Sequence, residues 1–144
     1  MDELTIRSGR ENMDVHAIHR FLSEHSYWAK GISFELVKKS IDHSYCVGAF
    51  YGQNQVGFAR LITDYATFGY LADVYVLPEH RSQGISKKIL ASIAGEPWTN
   101  QLRRKMLSTL DGHGLYRQFG FTELAYPDRI MEDYKPDIYL GTKS

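Results

Sequence analysis

The stretch from Asp73 to Gly95 constrains the fold of this chain more than any other. "DVYVL" is an apolar, β-branched run, and "PEHRSQGIS" breaks it with a proline, a glycine and small polar residues. "SKKILASIAG" then sets Ile89, Leu90 and Ile93 on one helical face and stops at Gly95. A second short apolar run, "KMLSTL" (105–110), follows a connector in which Pro97 can open a helical turn. Strand, helix, strand in that order is a crossover unit.

The residues before it carry a different rhythm. "ELTIRS" (3–8) alternates Leu4 and Ile6 with polar neighbours, as a half-buried strand does. From Met13 the period lengthens: Val15, Ile18, Phe21 and Leu22 recur at helical spacing. "SYWAKGIS" (26–33) interrupts with aromatics and a glycine, and Ser33 is placed to cap a second helix through Glu35, Leu36, Val37 and Ile41. "YCVGAFYG" and "QVGFARLIT" read as strands joined by "GQNQ", and "TFGYLADVYVL" as a third, which makes an antiparallel meander. Past the crossover, "GLYRQFGF" is a short helix closed by Gly120, with Asp111 as its expected cap, and "FTELA" and "DIYLGT" are expected last strands. The order is β-α-α-β-β-β-α-β-α-β with a further C-terminal β, an α/β chain with a mixed α+β sheet and one domain over 1–144.

Composition narrows the function. Lys plus Arg and Asp plus Glu each count 17, so the chain lacks the excess of positive charge that nucleic-acid binding uses. The N-terminus has no basic start with an apolar core, and no run of about 18 apolar residues offers a membrane span. A single cysteine, Cys46, cannot form an internal disulfide and reads as a buried, inert thiol. These features predict a soluble protein of the cytoplasm, with no nucleic acid and no membrane among its partners. His16 and His19 form a lone i, i+3 pair without the carboxylate of a zinc site, so no metal is expected.

The strand-to-helix loop carries the chemistry. At the carboxyl end of a strand, the first N–H groups of the next helix have no intrahelical partner and attract an anion. "RSQGIS" supplies small residues at Ser82, Gly84 and Ser86, with Arg81, Lys87 and Lys88 nearby, which is a pyrophosphate cradle in form. It lacks the lysine position of a P-loop and has too few glycines for a dinucleotide fingerprint.

"VYVLPEHRSQGISKKIL" resembles the acyl-CoA-binding motif of the GNAT superfamily of N-acetyltransferases, R/Q-x-x-G-x-G/A, and "GLYRQFGF" resembles that superfamily's tyrosine motif. Their order and separation match as well, and the element order is similar to the GNAT fold over nearly the whole chain. Ser86 departs from the usual Gly or Ala but is small. The resemblance implies acetyl-CoA as cosubstrate, its pyrophosphate held by backbone N–H groups of Gln83, Gly84, Ile85 and Ser86, with Arg81 at the mouth and Val74 and Val76 along the pantetheine. It implies Tyr116 as the general acid that protonates the departing thiolate.

The general base is open. A position that relatives often fill with an acidic residue falls on Ala72. Asp73 is adjacent, and either touches substrate or anchors the loop, although neighbouring strand residues face opposite sides of a sheet. Asp64 either serves its turn or faces the acceptor. The resemblance places the acceptor wall at the connection holding Tyr27 and Trp28, which either contact substrate or pack on the sheet. The implied function is N-acetyl transfer from acetyl-CoA to a primary amine, expected on a small molecule, by direct attack in a ternary complex. The alternative is a catalytically idle acyl-CoA-binding or sensing module, to which Ala72, Ser86 and the lack of the asparagine common before the tyrosine helix point. The aromatic-rich C-terminus from Tyr126 onward offers material for a homodimer interface.

Overall fold

The computed structural model describes residues 2–141. Its strands are β1 (Leu4–Ser8), β2 (Ser44–Tyr51), β3 (Asn54–Thr63), β4 (Phe68–Val76) and β5 (Arg104–Met106), and its α-helices are α1 (Val15–His25), α2 (Phe34–Asp42), α3 (Ile85–Ala94) and α4 (His113–Arg117). The strands form one sheet in the order β1-β2-β3-β4-β5. β1 to β4 pair antiparallel, as the meander requires, and β5 joins β4 in parallel across the α3 crossover.

Local chemistry sets the helix boundaries. Asp14 caps α1 by accepting from the Ala17 N–H at 3.0 Å, and Ser33 caps α2 by accepting from Leu36 N–H at 3.3 Å. His16 and His19 both pack against the Phe34 ring of α2, with centroids 4.6 and 5.7 Å away.

The sheet separates two cores. On one face Ile18, Phe21 and Leu22 of α1 and Val37 and Ile41 of α2 pack on Cys46, Phe58 and Tyr75. On the other, Ile85, Ile89, Leu90 and Ile93 of α3 pack on Val47, Ala49, Val56, Ala59, Leu61 and Leu71. Alternation along β2 and β3 supplies both faces at once, which is why these strands read as nearly continuous apolar runs.

Three sequence expectations need correction. The strand expected at 105–110 spans only Arg104–Met106, because the chain leaves the sheet at Leu107. With so little free edge on β5, the expected strand "FTELA" forms no ladder: 121–125 instead lies across a groove of about 450 Å³ lined by Leu102, Met106, Phe121, Leu124, Tyr126 and Ile130. "DIYLGT" is no strand either: Ile138–Leu140 make a 3₁₀ turn, and Thr142 lies outside the described residues. The C-terminal arm beyond Tyr126 returns to the α1–α2 connection, where Tyr139 packs on the first core. A Cβ on Gly31 would sit 2.5 Å from the Tyr139 carbonyl oxygen, so the contact there needs a glycine.

Ile89 is fully buried at the centre of the α3 face. Ile89→Ala should destabilise the fold by about 2–5 kcal/mol, seen as a lower urea midpoint at unchanged slope.

Candidate active site

The site is assembled around β4. Its pairing with β5 ends at Tyr70–Met106, so from Leu71 to Val76 that edge of β4 has no neighbouring strand. The open edge leads to the loop before α3. Gly84, the N-cap of α3, has φ 77°, a left-handed conformation that a residue without Cβ adopts at little cost. The first helical bond runs from Lys88 N–H to the Gly84 carbonyl, and no side chain caps the N–H groups that precede it. A Cβ built on Gly84 meets nothing within 4 Å, so the approach to these N–H groups is open. The helix dipole and unpaired donors at Gly84, Ile85 and Ser86 fit an anionic phosphate group.

The neighbours of this loop take defined places. Arg81 Nε donates to the Val76 carbonyl at 3.0 Å, which holds the guanidinium at the end of β4, beside the loop. The Gln83 amide oxygen lies 3.5 Å from the Tyr51 hydroxyl. Val74 and Val76 pack against the α3 core, so these valines serve the core while standing on the open edge.

At Asp73 the strand breaks its own alternation. Phe58 pairs with Tyr75 but Arg60 pairs with Ala72, so two residues of β4, Asp73 and Val74, oppose the single residue Ala59. This is a β-bulge, and Asp73 sits at φ 55°. A non-glycine residue there carries strain of about 1–3 kcal/mol, although Asp tolerates the region better than most. The expected opposition of Asp73 to Ala72 therefore does not hold. The bulge turns Asp73 toward the α1–α2 face, where Arg60 Nε donates to its Oδ2 at 2.6 Å and the Trp28 indole N–H donates to its Oδ1 at 2.7 Å.

The Arg60–Asp73 pair is shielded, its side chains only 15% and 9% exposed. Exposed pairs contribute about 0–1 kcal/mol, whereas removing one member of a buried pair typically costs about 3–5 kcal/mol. Arg60 is itself braced by Nη1 donating to Ser44 Oγ at 3.1 Å, and the Ser44 hydroxyl donates to the Ser40 carbonyl at 2.7 Å.

Tyr27 and Trp28 form the facing wall. Their rings meet edge to face at 5.0 Å. Tyr116 lies on α4 against the α3 core, edge to face with Phe121 at 6.1 Å. Burial raises the Tyr116 phenol above its ordinary value, and the Asp111 carboxylate and the Tyr27 phenol add to the shift. Burial likewise raises Tyr70, and the charges that reach it are Glu132 of the C-terminal arm and Asp73. Tyr27, Trp28 and Asp73 are thus brought together by the α1–α2 connection and the β4 bulge.

Of two other carboxylates, Asp64 takes the turn role, one of its two expected uses, and Asp111 departs from its expected one. Asp64 is taken up by its own turn: Oδ1 accepts from the Ala66, Thr67 and Phe68 N–H groups at 2.9, 2.7 and 3.2 Å, and Oδ2 from the Thr67 hydroxyl at 2.6 Å. These bonds, the Thr67 hydroxyl first, hold its carboxyl well below the usual range. The turn leads into the start of β4, at the other end of the strand from the anion loop, so Asp64 is not brought to the site. Asp111 does not cap α4; Gly112 is the cap residue, and its N–H is satisfied by the Thr109 hydroxyl at 3.1 Å. Arg60, Ser44 and Glu132 were not singled out by sequence reasoning. The available signal for Arg60 was a charge in "VGFARLIT" at the same parity as the buried Phe58.

The chain is similar to known proteins in sequence and in fold. The model of an acetyltransferase (GNAT) domain matches residues 42–123. A curated relative from Gibberella zeae, assigned as an acetyltransferase, is 33% identical over 125 residues, 72% of this chain and 70% of its own length. A crystal structure from Xanthomonas campestris pv. campestris, of a protein assigned to the GNAT family, superposes with a TM-score of 0.91 at 46% identity, covering 96% of this chain and 98% of that one. A GNAT family protein of Streptococcus pneumoniae shares the fold at TM-score 0.72 and 22% identity, over 92% of this chain and 98% of its own.

Cys46 stands apart from this chemistry. It is fully buried in the first core, and burial pushes its thiol up to about 12. It should not react with a disulfide reagent at pH 8 in the folded protein and should react fully once urea unfolds the chain. Rapid native labelling would show that this core opens.

Proposed function

The chain belongs to the GNAT family of acetyltransferases, and on that premise we propose that it moves an acetyl group from acetyl-CoA to the primary amine of a small molecule, by direct attack in a ternary complex. The observation that carries this reading is the uncapped N-terminus of α3 at the end of an unpaired β4 edge, with Trp28 bonded to Asp73 of that strand.

In this reading the N–H groups of Gln83, Gly84, Ile85 and Ser86 bind the pyrophosphate, and Arg81 adds positive charge at the mouth. The bare backbone of β4 beside Val74 and Val76 offers donors and acceptors to the amides of the pantetheine arm. Bound acetyl-CoA supplies a thioester whose C–S bond breaks as the new N–C bond forms. Tyr116 keeps its proton at neutral pH, as any phenol of ordinary value near 10 does and as burial favours further, so it can hand that proton to the departing sulfur and regain one from solvent. The buried Cys46 thiol does not serve as an acyl carrier, which supports direct attack over a covalent relay.

The first test is thermal stability against increasing acetyl-CoA. Saturation at a hundred times the dissociation constant should add about 2.7 kcal/mol to the folded state. Gly84→Ala strains the left-handed cap and projects a methyl into the cradle, so it should weaken binding at least about tenfold in a protein that still folds. Absence of any shift at millimolar acetyl-CoA would overturn the cofactor assignment.

The second test is thiol release during a screen of primary amines, read with a disulfide reagent to which native Cys46 is expected to be silent. Tyr116→Phe should lower turnover about a hundredfold or more while acetyl-CoA affinity stays within about twofold. Unchanged turnover would remove Tyr116 from the mechanism. Saturable binding with no thiol release for any amine would favour the idle acyl-CoA-binding module.

A further inference from the structure

Asp73 lies on the strand and beside the position where a general base would be sought, yet its surroundings assign it another task. Oδ2 accepts from Arg60 Nε at 2.6 Å and Oδ1 accepts from the Trp28 indole at 2.7 Å. The indole N–H comes from the α1–α2 connection, so an amine reaching Oδ1 from that side would have to displace Trp28. Behind the carboxylate, Arg60 is fixed through the Ser44 hydroxyl to the Ser40 carbonyl in the last turns of α2. One unbroken chain of polar contacts therefore runs from α2 through β2, β3 and β4 to the wall of the acceptor side.

We propose that Asp73 is a positioning residue: braced by Arg60, it latches Trp28, and with it Tyr27, to the bulge of β4. It is not the base that takes the acceptor's proton. The consequence for turnover rests on the acetyl-transfer reading given above; the latch itself does not. The backbone supports the assignment, because a left-handed aspartate persists where its surroundings over-determine it, and two hydrogen bonds at 2.6 and 2.7 Å on one carboxylate do so. The buried Ser26, Ala29 and Ile32 hold the backbone of the connection, while the Trp28 side chain is 36% exposed and Tyr27 beside it 66% exposed. The indole bond is what fixes the orientation of the Trp28 ring against the bulge of β4.

The test has two arms. The first needs no acceptor. In a Trp98→Phe background, where Trp28 is the remaining tryptophan, its emission and acrylamide quenching report the latch directly. Asp73→Asn and Asp73→Gly, both compatible with the left-handed backbone, should shift emission to the red and raise quenching at least twofold, with faster amide exchange over 26–32. Unchanged quenching in both folded variants would overturn the latch. Arg60→Lys, which shortens and reshapes the brace, should give a smaller change in the same direction.

The second arm uses acetyl-CoA and whichever primary amine gives the highest thiol release in the screen. Trp28→Phe leaves the Arg60–Asp73 pair intact and should fold. Trp28→Phe and Asp73→Asn should each raise KM for the amine about fivefold or more, with kcat within about threefold and KM for acetyl-CoA unchanged. The double variant should be no worse than the worse single one, since both remove the same contact. The acidic limb of the pH–rate profile should survive Asp73→Asn. Loss of that limb with a hundredfold fall in kcat, while Trp28→Phe changes nothing, would make Asp73 the base and overturn the proposal. Failure of every amine would count against the acetyl-transfer reading alone, and the fluorescence arm would still decide the latch.

Discussion

The site depends on β4 being flanked by strands on both edges for only two of its residues, Gly69 and Tyr70. Phe68, Gly69 and Tyr70 pair with β5; from Leu71 onward one edge is bare. A bare edge inside a sheet leaves backbone donors and acceptors seeking partners, which is ordinarily a liability that proteins cover. Here the α3 loop lies at one end of the opening and the α1–α2 connection meets the strand through Trp28, and on the proposed reading the unsatisfied backbone receives an extended, amide-bearing ligand. The shortness of β5 is therefore part of the same design as the anion loop. A longer β5 would pair β4 to its end and close the site.

Much of this was legible in the sequence because it rests on local chemistry. The Ser33 cap, the glycine before α3, the stop at Gly95 and the apolar periods of α1, α2 and α3 are each decided by a few neighbouring residues. The anion loop was legible for the same reason. What was not legible depends on long-range pairing. The length of β5 is set by where the chain parts from β4, and nothing in "KMLSTL" marks Met106 as the last paired residue. "FTELA" has the composition of a strand but no edge to join. Asp64 and Asp111 show the limit from another side: an aspartate beside a turn or a helix start has several local donors to choose from, and composition does not say which it takes.

The bulge is the clearest case. No glycine or proline announces it, since the residue in the left-handed conformation is Asp73 itself. Strict alternation would send Asp73 and Ala72 to opposite faces, and that inference fails by one inserted residue. Arg60 held the missing clue. It shares parity with Phe58, which is fully buried, so a guanidinium there must find a partner on the first face of the sheet. Parity alone could not name that partner, because the bulge which brings Asp73 to it is invisible to parity.

The two faces of the sheet have separate duties, and β4 must serve both. α3 and its loop belong to the face built from Ile85, Ile89 and Leu90, whereas the acceptor wall belongs to the face built from Ile18, Phe21 and Val37. A strand in perfect alternation would offer each face every second residue and hold the two at a fixed offset. The bulge changes the phase: Ala72 and Asp73 both serve the first face before Val74 resumes service of the second. It thereby lets one short strand place a carboxylate against Arg60 and Trp28 while Val74 and Val76 stay on the side of the anion loop. The strain at Asp73 is maintained by the two hydrogen bonds it makes, and those bonds tie the acceptor wall to the strand beside which the ligand would lie. Backbone conformation, shielded charge and the placement of the facing wall are thus one interaction seen at three scales.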